Sequence, residues 1–208
     1  MTTIASSDGL ELEAAWDVPD DARGIVVFCH PHPRAGGTMN APLLLALRDD
    51  LVARGFAVLR FNFRGIGSSQ GESADGIPEI ADAEGAIAAA TERFDGPCGL
   101  LGWSFGAAVA IRTAEAHPEL GACVAIAPAV NERVGYTAGV PAPAALELDV
   151  PLLVVIAAND DQIDPQAQRE WATPAGARLE EVSGANHFFW ARYDALAEVV
   201  GPFFEEAL

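Results

Sequence analysis

Lysine is absent from this 208-residue chain: all twelve basic side chains are arginine, against thirty acids, for a formal net charge of −18. Without lysine there is no P-loop cation for a nucleotide's phosphates and no amine for a Schiff base. P-loop phosphoryl transfer and pyridoxal chemistry are therefore excluded. So large an acidic excess also argues against nucleic acid as a partner, because the surface repels phosphate. No apolar run reaches the roughly 18 residues of a membrane span. Met1-Thr2-Thr3-Ile4 opens without the basic stretch and apolar block of a secretory signal, so no membrane partner is expected. Cysteine is scarce: Cys29, Cys98 and Cys123 are odd in number, far apart and set in apolar runs. They read as buried reduced thiols in a cytoplasmic protein rather than a disulfide framework.

What is present is half hydrophobic and one-fifth charged, the balance of a folded chain. The length suits one domain over 1–208. Ile4-Ala5 and the alternation Leu10, Leu12, Ala14, Trp16 flank the turn signal Ser7-Asp8-Gly9, which predicts an antiparallel hairpin. Five short apolar runs follow, at 25–29, 57–61, 99–102, 122–126 and 152–156, with the patterning of strands covered on both faces. Helix-sized stretches separate them: Leu44, Leu47 and Leu51; Ile77, Ile80, Ile87 and Phe94; and the alanine-rich 105–116. Phe189, Tyr193, Leu196, Val200 and Phe203 predict a last helix, bent or broken near Gly201-Pro202. The class is α/β, a mostly parallel sheet with an antiparallel edge and helices on both faces. The longest irregular piece, 128–150, has room for only a short helix, so any lid is small. Function in such sheets gathers beyond the carboxyl ends of the strands.

Gly102-Trp103-Ser104-Phe105-Gly106 is G-x-S-x-G placed directly after a strand and before a helix. A tight turn there lifts the hydroxyl clear of the sheet, and the helix aims its N-terminal dipole at the reacting oxygen. A serine needs a base, and the base an orienting acid. Of four histidines, His117 precedes Pro118 at the far end of the helix after Ser104. His187 follows what reads as the last strand, at the correct end of the sheet. The stretch 157–165 supplies the acid: Asp164 before Pro165 reads as a helix N-cap, spacing leaves Asp160 and Asp161 open, and Glu132 is a fallback. The loop Cys29-His30-Pro31-His32-Pro33, after the first parallel strand, is where a second oxyanion donor belongs. His32 has the only backbone N–H between two prolines, and Phe105 supplies the other donor.

Two rival patterns are present. His30-x-His32 at a strand end also begins some metal sites, with Asp161 and His187 as further ligands. No second histidine pair follows, the chain is short for a (β/α)8 barrel, and the serine turn would go unexplained. Arg64-Gly65-Ile66-Gly67-Ser68-Ser69-Gln70-Gly71 misses the G-x-G-x-x-G of a dinucleotide loop at Gln70. Neither metal nor organic cofactor is expected.

Taken together, the blocks His30-Pro31-His32-Pro33 with Gly36-Gly37-Thr38-Met39-Asn40, Arg60-Phe61-Asn62-Phe63-Arg64-Gly65-Ile66-Gly67-Ser68, and Gly102-Trp103-Ser104-Phe105-Gly106 resemble the α/β-hydrolase superfamily. More narrowly they resemble a small, nearly lidless bacterial group with dienelactone-hydrolase-like neighbours. The resemblance implies Ser104 as nucleophile and His187 as base. It places the acid three residues after a glycine position held here by Ala158, hence Asp161. It also implies oxyanion donors at His32 and Phe105. No cysteine occupies the elbow, which disfavours the dienelactone hydrolases' thiol mechanism. The expectation is a serine hydrolase of small acyl esters, with thioesters and acyl transfer open to the same triad and Arg34 and Arg64 placed to admit a carboxylate. A non-catalytic binding protein on the same fold is the alternative.

Overall fold

The computed structural model describes residues 2–130 and 139–208. The predicted hairpin is β1 (Thr2–Ala5) and β2 (Glu11–Asp17), paired antiparallel, with β2 continuing antiparallel onto β4 (Ala57–Phe61). From there the sheet is parallel: β3 (Ile25–Cys29), β5 (Cys98–Trp103), β6 (Ala122–Ile126), β7 (Leu152–Ala157) and β8 (Arg178–Val182). The strand order is β1-β2-β4-β3-β5-β6-β7-β8. The central strands are apolar on both faces because both are roofed. Ile25, Val27 and Cys29 of β3 face the side covered by α2 (Glu79–Arg93), α3 (Phe105–Glu115) and, over β7 and β8, α4 (Pro165–Ala172). Val26 and Phe28, one residue out of phase, pack under α1 (Pro42–Ala53) and α5 (Tyr193–Ala207).

Two details depart from expectation. α5 runs unbroken through Pro202. The ring removes one intrahelical bond, to the carbonyl of Glu198, but Pro202 and Glu198 are both exposed, so water takes the freed acceptor. Gly201, on the buried side, lets the helix approach Arg54: a Cβ there would collide with the guanidinium. Ile77, assigned by its spacing to the α2 stripe, precedes the helix and is exposed.

All three cysteines are free and buried. Burial pushes Cys98 and Cys123 up to about 12 and Cys29 well above its ordinary value, so none is a thiolate at neutral pH. Among the described residues, no helix is long and apolar enough to cross a membrane.

Candidate active site

Ser104 sits between β5 and α3 at φ 57°, ψ −114°, a conformation L-residues rarely hold. Its N–H donates to the Ile126 carbonyl at 2.8 Å, which pins the turn to β6. The flanking glycines are required by close approach. A Cβ on Gly102 would strike the Gly106 carbonyl, and one on Gly106 would strike the carbonyls of Cys29 and His30. The spacing G-x-S-x-G thus packs the elbow against the loop after β3.

His187 reaches the serine from the loop after β8. Its Nε2 lies 3.1 Å from Ser104 Oγ, and the Trp103 indole N–H donates to its backbone carbonyl at 3.2 Å. Its Nδ1 lies 2.8 Å from Oδ2 of Asp160, whose side chain is fully buried. Because a carboxylate only accepts, Nδ1 carries the proton and Nε2 is the acceptor facing the hydroxyl. The other carboxylate oxygen accepts from the Gln162 and Ile163 N–H groups at 2.8 and 2.9 Å, which fixes the acid's orientation.

The carboxylate that the fold brings to His187 is therefore Asp160, not the expected Asp161. The cause is the turn that ends β7. The Asp160 N–H bonds back to the Ala157 carbonyl, and the Asn159 N–H bonds across to Ala185 in the histidine loop. The count of three begins at Ala157, the last strand residue, rather than at Ala158. One residue further on, Asp161 is exposed and makes no hydrogen bond or ion pair among the described residues. Asp164 caps α4 as expected, accepting from the Gln166 N–H at 2.9 Å. Glu132 lies outside the described residues, and His117 pairs with Glu119 beyond the end of α3.

A cleft of about 480 Å³ opens over Ser104, with His187, His32, Phe105, Trp103, Phe188 and Arg34 among its walls. Phe105 is the first residue of α3, so its N–H has no helical carbonyl to bond. The His32 ring packs 4.8 Å from that of Phe105, and its Nδ1 accepts from the Arg34 N–H at 3.0 Å. His30, the other half of the metal alternative, lies outside the cleft wall. It is fully buried, its Nδ1 donates to the Pro31 carbonyl at 2.7 Å, and its Nε2 accepts from the Phe63 N–H at 3.0 Å. Both nitrogens are committed, and no group of three metal-ligating side chains forms among the described residues.

The Arg60–Ser68 block proves to be a brace for the His30–Asn40 loop. The Arg60 guanidinium donates to the Met39 carbonyl and Asn40 Oδ1, Asn62 Oδ1 accepts from the Met39 N–H, and Phe63 packs on His30 and Phe105. Arg64 does not flank the cleft as expected. Its guanidinium is buried against Asp82 at 2.7 Å, with a second carboxylate, Asp8, at 2.9 Å. Burial raises the Asp82 carboxyl even against that guanidinium, the mark of a largely desolvated pair. Asp82→Ala leaves the buried guanidinium with only the half-exposed Asp8, so a loss of about 3 kcal/mol in denaturant unfolding is expected, the low end for breaking one side of a buried pair.

His30 carries an acid-stability prediction. Burial lowers its pKa from 6.5 to about 4. Above pH 6.5 it is neutral folded or unfolded. Between pH 6.5 and 4 only the unfolded chain binds the proton, so stability falls by up to about 1.4 kcal/mol per pH unit, roughly 3 kcal/mol in all. Urea titrations from pH 7 to 4 on wild type and His30→Asn should show the slope shrinking by about one proton in the variant.

A family model described as serine aminopeptidase, S33, matches residues 20–148, the stretch holding the elbow and the His30 loop but neither Asp160 nor His187. The chain belongs to this family of α/β hydrolases. An uncharacterised Rickettsia prowazekii protein, RP471, is 28% identical over 188 residues, 86% of this chain and 77% of that protein. An α/β serine hydrolase homologue from Coxiella burnetii superposes with a TM-score of 0.84 at 27% identity, covering 97% of this chain and 95% of its own. XC6422 of Xanthomonas campestris, described as an α/β serine hydrolase without lid, gives 0.81 at 27%, covering 95% and 89%.

Proposed function

We propose that this hydrolase cleaves small acyl esters through a covalent acyl-enzyme. The observation that carries the reading is the unbroken hydrogen-bonded line from buried Asp160 through His187 to Ser104, the last two lining an accessible cleft. Ser104 Oγ attacks the carbonyl carbon as its proton passes to His187 Nε2. Asp160 holds the tautomer and stabilises the imidazolium. The oxyanion is held by the backbone N–H groups of Phe105 and His32, each worth about 3–4 kcal/mol when lost. His187 then gives its proton to the departing alkoxide. Water adds to the acyl-enzyme by the same route: His187 takes its proton, the acid leaves, and Ser104 regains its hydrogen. The step needs no group the chain lacks.

Similarity to a lidless serine hydrolase supports an open site, so short-chain p-nitrophenyl esters are the first assay. The S33 family description makes aminoacyl p-nitroanilides the comparison substrate. A fluorophosphonate probe should label Ser104 in the folded protein and block ester turnover; no labelling and no turnover on either substrate set would sink the reading.

A further inference from the structure

The two sides of the cleft differ in chemistry. The His30–Asn40 loop follows β3, and the histidine loop follows β8 on the far side of β5 in the sheet order, so their side chains flank Ser104 from opposite directions. On the β3 side stands Arg34, exposed and lining the cleft. Every other described arginine is engaged: Arg48, Arg54, Arg60, Arg64, Arg169 and Arg178 pair with carboxylates. Arg23, Arg112 and Arg192 donate to carbonyls, and Arg93 covers the Trp16 ring. The Arg34 guanidinium alone among them makes no hydrogen bond, ion pair or ring contact. In a chain with thirty acids, a cation left unclaimed beside the nucleophile is one that nothing in the fold requires. It is also the residue type best shaped to grip a carboxylate or phosphate in two bonds.

On the other side an aromatic ledge leads outward. Trp103 and Phe188 line the cleft with ring centroids 6.0 Å apart, and Trp190 stacks beyond Phe188 at 5.5 Å. Phe188 and Trp190 are 40% and 66% exposed, large apolar rings held in water. The turn that presents them is strained: Phe189 and Ala191 have φ 52° and 56°, with Phe189 turned fully inward between its two exposed neighbours. The Asn186 side chain holds the turn by accepting from the Phe188 and Trp190 N–H groups. Strain that keeps apolar rings exposed and continuous with a cleft points to a ligand surface.

Resting on the serine-hydrolase reading above, we propose that the cleft selects an anionic amphipathic ester: a carboxylate or phosphate on Arg34, and an apolar arm laid along Phe188 and Trp190. The test is a four-substrate matrix, short or long in the apolar arm and neutral or carboxylate-bearing, with phosphate-bearing esters as a second anionic arm. Fluorophosphonate labelling of Ser104 in every variant separates loss of the nucleophile from loss of selectivity. Arg34→Gln is expected to lower the anionic-over-neutral ratio of kcat/KM by roughly five- to tenfold, mainly through KM, with Arg34→Lys, which keeps the charge but not the fork, restoring part of it. Trp190→Ala and Phe188→Ala should lower the long-over-short ratio by a similar factor. An unchanged anionic ratio in Arg34→Gln overturns the anionic half. An unchanged length ratio in both ring variants, or a ledge that instead drives dimerisation or vesicle binding, overturns the apolar half. Labelling failure in wild type overturns the reading beneath both.

Discussion

Ser104→Ala is expected to lower kcat on short acyl esters by about 10⁶-fold and to abolish fluorophosphonate labelling, while leaving the fold intact. The size follows from the arrangement: without Oγ there is no acyl-enzyme, and His187 and Asp160 act on nothing. On the proposed mechanism, what survives is the polarisation of the carbonyl by the Phe105 and His32 amides, which leaves a small residual rate over water. The elbow keeps its shape because it is set by the Ser104 N–H bond to Ile126 and by the glycine contacts, none of which involves the hydroxyl. Steady-state kinetics with circular dichroism checks both halves. A variant retaining more than a few per cent of wild-type turnover would mean that another group attacks.

Asp160→Asn is expected to lower kcat by about 10⁴-fold, whereas Asp161→Asn should stay within about threefold of wild type. An amide in place of the carboxylate can present its N–H₂ to His187 Nδ1. The ring then carries its proton on Nε2, the wrong nitrogen, and can no longer accept from Ser104. The imidazolium also loses its compensating charge. At Asp161 the exposed side chain touches none of this. The neighbouring pair is a sharp control, because both substitutions remove one charge from the same turn and only one of them faces the histidine. Equal effects at the two positions would place the working acid elsewhere.

How much of this was legible in the sequence follows the locality of each determinant. The elbow is encoded within seven residues, strand, glycines and helix together, and the sheet followed from apolar runs whose flanking segments carry helical spacing. The expectation of Asp161 missed the carboxylate that meets His187, because Ala157-Ala158-Asn159-Asp160-Asp161 has two equivalent anchors for the count. The choice is made by Asn159 bonding to Ala185, a contact between two loops. Arg64 was misplaced for a similar reason: its partners Asp8 and Asp82 lie 56 and 18 positions away, and nothing near Arg64 announces them. The bend or break expected near Gly201-Pro202 does not interrupt the helix, because Pro202 falls on the exposed side, where the freed Glu198 carbonyl is open to water. His30 and His32 look alike in sequence and are parted by tertiary contacts: the His30 ring is buried between the Pro31 carbonyl and the Phe63 N–H, whereas the His32 ring lines the cleft against Phe105.

The left-handed backbone at Ser104 has a thermodynamic corollary. Such a conformation costs an L-residue on the order of 1–3 kcal/mol, and glycine adopts it freely. Ser104→Gly should therefore raise the melting temperature above wild type even as it silences the enzyme, while Ser104→Ala, which keeps a Cβ, should not. On the proposed mechanism, the attacking hydroxyl is held at the expense of the protein's resistance to heat.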